Sequence, residues 1–130
     1  MKLTGGCLCG AVRYEFEGRP GAAGWCHCRM CQRASGAPAQ TYVQLAADAF
    51  RFTAAEPAVY RSSTHGKRRF CAVCGSQIDF RDAEEPDWIS VNSGTLDEPA
   101  LAPPDRHIWT ESEVSWFGKA GDLPRFDHGG

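Results

Sequence analysis

The chain has 130 residues, 42% hydrophobic and 23% charged, with a formal charge of −2 at pH 7. That length suits a single domain spanning residues 1–130 with a real core, and the charge balance lacks the basic face that nucleic acid usually demands. No apolar run approaches the ~20 residues of a membrane span, and glycine interrupts the N-terminus before a signal-peptide apolar region could form. Neither nucleic acid nor membrane is an expected partner, and the expected location is cytoplasmic.

That compartment gives meaning to the seven cysteines. Reducing conditions disfavour structural disulfides, so clustered cysteines there more often bind metal or perform chemistry. The first pair lies in Gly5-Gly6-Cys7-Leu8-Cys9-Gly10. If this piece is extended, both thiols leave the same face and can reach one ion. Val12–Glu17 alternates apolar and polar residues, the mark of a half-buried strand. Gly18, Pro20, Gly21 and Gly24 then read as a loop. The crowded run Trp25-Cys26-His27-Cys28-Arg29-Met30-Cys31-Gln32 follows, and Arg29–Ala34 is the one plausible helical turn.

Beyond it, short strands are expected at Thr41–Leu45, Phe50–Thr53, Ala58–Arg61, Gln77–Phe80, Trp88–Asn92, His107–Thr110 and Val114–Trp116, with Gly, Pro, Asn and Asp between them. Asp97 and Glu98 read as turn residues before Pro99, and Gly118–Gly130 as a tail that wraps over the body or frays. The fold class is all-β: a sandwich, barrel or folded sheet.

Cys71 and Cys74, followed by Gly75, form a zinc-knuckle half-site. Together with Cys7 and Cys9 they make a four-cysteine tetrahedron that staples the start of the chain to its middle. Lys67-Arg68-Arg69 lies just before it, either as a solvated charged edge or as compensation for the thiolate charge. Cys26, Cys28 and Cys31 are then left as three ligands without a fourth. His27 should point away if Cys26 and Cys28 share a face. The cluster reads as an open metal site, a site closed by His27, His65, His107 or His128, or three unligated thiols. Zinc on three thiolates carries a net charge of about −1, a poor setting for a reactive hydroxide but a good one for a bound thiolate.

The segments GGCLCGAVRYE, CHCRMCQRASGAP, FCAVCGSQIDF, SGTLDEP and HIWTESEVSW closely resemble the glutathione-dependent formaldehyde-activating enzyme family, in order along nearly the whole chain. The resemblance implies a zinc-stapled folded antiparallel sheet of the β-tent type with a short helical turn. It implies a structural zinc on Cys7, Cys9, Cys71 and Cys74, and a catalytic zinc on Cys26, Cys28 and Cys31, where the open position would leave the ion less firmly held. It implies carbon–sulfur lyase chemistry that joins glutathione, as co-substrate, to formaldehyde, giving S-hydroxymethylglutathione. Small-molecule thiol and aldehyde partners follow, and the oligomeric state stays open. Glutathione carboxylates call for cations and donors, for which Arg29, Arg33, Ser35 and the amide of Gly36 are candidates, although they also read as surface arginines and a turn. His107, Trp109 and Trp116 could wall a pocket or belong to a core. Two functions of other classes compete: a non-catalytic zinc-stabilised binding module and a thiol/disulfide redox module.

Overall fold

Ten strands, one short α-helix and several 3-10 turns make up the computed structural model, which describes Met1–Gly130. In chain order the strands and helix are β1 (Lys2–Gly6), β2 (Arg13–Glu17), β3 (Ala23–Cys26), α1 (Arg29–Ser35), β4 (Gln40–Ala46), β5 (Phe50–Phe52), β6 (Ala58–Arg61), β7 (Gly66–Phe70), β8 (Gln77–Asp82), β9 (Trp88–Val91) and β10 (His107–Ile108). The first sheet has the order β1-β2-β5, and the second β10-β3-β4-β9-β8-β7-β6. All pairings are antiparallel except β10 with β3, which is parallel. No helix is long and apolar enough to cross a membrane.

The period-two pattern decides what each strand buries. Tyr14 and Phe16 of β2, Val43 and Leu45 of β4, and Ile89 and Val91 of β9 all turn inward, and with Leu3, Phe50 and Ile78 they form one core. Cys7 and Cys71 belong to the same cluster, so the core continues into the first cysteine site.

Three strands lie where none is expected from the sequence. β1 has Leu3 as its only large apolar residue, yet it pairs along its whole length with β2. β3 begins inside the glycine-rich loop and is held between β4 and β10. β7 is the basic run itself. Conversely, Val114–Trp116 is not a strand, and of His107–Thr110 only His107 and Ile108 are extended. The chain packs onto the body as far as Phe117, just before the expected tail, and the Phe117 ring sits edge-on against Trp25, His27 and His107. Beyond it every residue is exposed.

The basic run is no solvated edge. Strand alternation leaves Lys67 in solvent, turns Arg68 to one face of the sheet and Arg69 to the other. Arg69 sits opposite Asp79 in register and pairs with its carboxylate, whose side chain is fully buried, while its guanidinium stacks 4.5 Å over Phe52 of the first sheet. Held by Asp79, Arg69 thus joins the two sheets through Phe52. Breaking a buried ion pair strands the remaining charge, so Asp79→Asn should cost about 3 kcal/mol in urea unfolding at neutral pH. A change under ~1 kcal/mol would contradict that role.

Asp97 likewise does more than turn the chain. It accepts hydrogen bonds from Arg13 and from the Thr4 hydroxyl, and its own amide donates to the Thr4 carbonyl, clipping the loop after β9 to the first sheet. The Arg13 guanidinium, then the Thr4 hydroxyl, hold its carboxyl down to about 2.

Candidate metal and thiol site

Cys7 and Cys9 do not lie on an extended segment. They sit in a tight turn in which Gly10 adopts φ 84° and donates its amide to the Cys7 carbonyl. The Val12 amide then points at the Cys7 sulfur, 3.2 Å away. Cys71–Ser76 repeats the device: Gly75 at φ 81° donates to the Cys71 carbonyl, and the amides of Val73 and Cys74 each approach Cys71 Sγ at 3.4 Å. Both glycines occupy the left-handed region that other residues enter only at a cost, so the sequence commits them to the turns. Ser76 ties the two turns together. Its oxygen accepts the Leu8 amide at 3.0 Å and lies 3.2 Å from Cys74 Sγ. That hydroxyl and the Ser76 amide hold the Cys74 thiol down to about 5.

The four sulfurs lie within 4.8 Å of one another, with Cys7 to Cys9 at 3.6 Å and Cys9 to Cys71 at 3.7 Å. A disulfide would need about 2.05 Å. The edge of a tetrahedral zinc–sulfur site, with Zn–S near 2.3 Å, is about 3.8 Å. Spacing, donor type and the amides aimed at sulfur all fit zinc.

The second cluster is built at the junction of β3 and α1. Cys26 ends the strand, Cys28 caps the helix by accepting the Cys31 amide at 3.3 Å, and Cys31 stands in the first turn. Gln32 fixes this junction from below: its amide donates to the carbonyls of His27 at 2.8 Å and Ser112 at 3.0 Å, and its oxygen accepts from Arg29. The sulfurs of Cys26, Cys28 and Cys31 lie within 4.8 Å of one another and are also compatible with zinc. A hydrogen bond from the Cys26 thiol, opposed by burial and reinforced by Cys28 and Arg68, holds Cys31 down to about 5, while Cys26 is pushed up.

No histidine or carboxylate joins these three sulfurs. His27 is wholly buried on the other side of the strand, where its Nε2 meets His107 Nδ1 at 2.8 Å and Glu113 at 3.6 Å. His65 is paired to Asp82 at 2.9 Å, and His128 lies in the exposed tail.

The three cysteines open onto a cleft of about 700 Å³. Its floor is the face of the second sheet that turns away from the core. Strand register sets Gln44 opposite Ser90, Ser90 opposite Phe80, and Phe80 opposite Arg68, so these four form one row; Tyr42 and Gln40 extend the floor along β4 to Cys26. Arg29, Ile108, Trp109 and Glu111 stand on the other walls. The oxygen of the buried Gln40 side chain has no hydrogen-bond partner.

Of the expected substrate contacts, only Arg29 lines this cleft. Ser35 and Gly36 are engaged in ending α1: the Ser35 hydroxyl donates to the Cys31 carbonyl and accepts the Ala37 amide, and Gly36 is the left-handed cap at φ 73°. Arg33 is exposed elsewhere on the helix. Among the aromatic candidates Trp109 reaches the cleft, His107 belongs to the His27 cluster, and Trp116 is an exposed surface residue. Arg68 escapes a reading of the sequence that takes three basic residues as one unit; the period-two rule applied to Gly66–Phe70 would have singled it out.

The comparisons with known proteins bear on what such a site does. The family model of the glutathione-dependent formaldehyde-activating enzyme matches residues 2–112. The chain belongs to this family. A Halomonas elongata relative, provisionally named a glutathione-dependent formaldehyde-activating enzyme, is 27% identical over 126 residues, covering 89% of this chain and 80% of its own. A crystal structure of a Rhodobacter sphaeroides protein superposes with a TM-score of 0.64 at 25% identity, over 78% of this chain and 96% of that one. The formaldehyde-activating family match spans all seven cysteines, both sheets and every wall of the cleft.

Proposed function

We propose that this member of the family is a carbon–sulfur lyase-type enzyme that condenses glutathione with formaldehyde to S-hydroxymethylglutathione, acting in the reducing cytoplasm. The observation that carries the reading is three convergent cysteine sulfurs, without a fourth donor, on the wall of a large cleft. Cys7, Cys9, Cys71 and Cys74 hold a structural zinc, and Cys26, Cys28 and Cys31 a second zinc with one position open. Zinc bound there stabilises a thiolate near neutral pH, where free thiols are mostly protonated.

The chain's own residues do the rest. Cys28 and Cys31 are fixed by the first turn of α1, and Gln32 locks that turn to the body. Tyr42, Phe80 and Trp109 narrow the cleft and limit water around the sulfur, and Arg29 offers a guanidinium at its edge for a glutathione carboxylate. The substrate thiol gives up its proton, its sulfur attacks the formaldehyde carbon, and the carbonyl oxygen gains a proton from water. The sum of thiol and aldehyde is the adduct, with no other reactant.

Exchange of isotopically labelled formaldehyde between its hydrate and the glutathione adduct, followed by NMR, tests the proposal. The zinc-loaded protein should raise the exchange rate above the uncatalysed rate, and S-methylglutathione should form no adduct. An exchange rate unchanged by the protein would refute the enzyme reading and favour a binding module.

A further inference from the structure

Arg68 is 7% exposed and belongs to none of the chain's ion pairs. Its guanidinium is held 5.0 Å over the Phe80 ring, and its Nη2 reaches Cys31 Sγ at 3.6 Å. A guanidinium has five donors, and this sulfur is the only acceptor that engages one. A buried cation without a carboxylate is costly unless something anionic answers it. Of the acids that line the cleft, Asp82 is taken up by His65, and Glu85 and Glu111 are exposed.

The charge arithmetic of the site supplies the reason. Three thiolates around a divalent ion leave about −1, and a fourth thiolate would raise this to about −2 inside a partly enclosed cleft. Water or imidazole in the same position would add no charge. We propose that Arg68 is the specificity-determining residue of the cleft, a fixed positive charge that lets the three-cysteine site take an anionic sulfur ligand in preference to a neutral one. This rests on the zinc reading of Cys26, Cys28 and Cys31. It does not depend on formaldehyde or on the rest of the glutathione molecule. Phe80 and the strand register hold the guanidinium in place before any ligand arrives, so the preference is built into the sheet.

The test uses the full chain loaded with cobalt, whose sulfur-to-metal absorption reports a new sulfur ligand. 2-Mercaptoethanol, which has no carboxylate, glutathione, which has two, and neutral imidazole are titrated separately. Arg68→Met should weaken 2-mercaptoethanol about tenfold or more, as loss of a full charge beside a partly enclosed site should, and change imidazole by less than about twofold. Arg68→Lys should restore most of the difference. Arg68→Gln, which keeps a polar group in the pocket, serves the same comparison if the methionine variant does not fold. Equal losses for both ligands would overturn the proposal and make Arg68 a structural residue. So would no loss, or a loss confined to glutathione, which would make it a carboxylate reader. Wild-type protein that binds no second cobalt would overturn the metal reading and this proposal with it; a second cobalt without selectivity overturns this proposal alone.

Discussion

Cys74→Ser is expected to lower the unfolding free energy by several kcal/mol and the melting temperature by roughly 10 °C or more. The reason lies in what the four sulfurs connect. Cys7 and Cys9 follow β1 and Cys71 and Cys74 follow β7, so an ion held by the four would join the first sheet to the second across about half the chain. In the unfolded chain the ligands are dispersed, so most of the metal-binding free energy appears as folding free energy. Cys7 and Cys71 are also part of the hydrophobic core, and loss of the ion would leave Cys71 buried without its partners. Calorimetry of the zinc-loaded protein checks this. A melting temperature within about 2 °C of wild type would show that the cluster is not a staple.

Cys28→Ser should do the opposite. Cys28 is half-buried and its structural task is to cap α1, which a serine hydroxyl performs as well as any side chain. The fold should lose about 1 kcal/mol, the second metal should be lost, and formaldehyde exchange should fall to the uncatalysed rate. Melting losses of equal size for Cys28→Ser and Cys74→Ser would refute the division of labour between the clusters.

How far the sequence discloses this arrangement depends on the kind of signal. The cysteine spacings and their glycines are local, and Cys7, Cys9, Cys71 and Cys74 come together as their pattern suggests, although by paired turns and not by an extended first segment. The all-β class follows from alternation that survives in β2, β4 and β9. β1 and β3 are invisible for a physical reason: each is stabilised by its neighbours' backbone and has too few apolar side chains to announce itself. The cleft is a product of register. Gln44, Ser90, Phe80 and Arg68 come from four strands and become one row only when those strands pair. Nothing local marks Gln40 or Tyr42 as cleft residues. Ser35 and Gly36 illustrate the converse, since beside the cysteines they look like substrate donors and in the fold they are consumed by the end of a helix.

Zinc K-edge absorption on protein with its metal counted distinguishes a cluster closed by four sulfurs from one left open with three. The expected result is two zinc ions per chain with a mean of about 3.5 sulfurs each, rising to about 4 when glutathione is added. One zinc per chain, or a sulfur count that glutathione does not change, would contradict it.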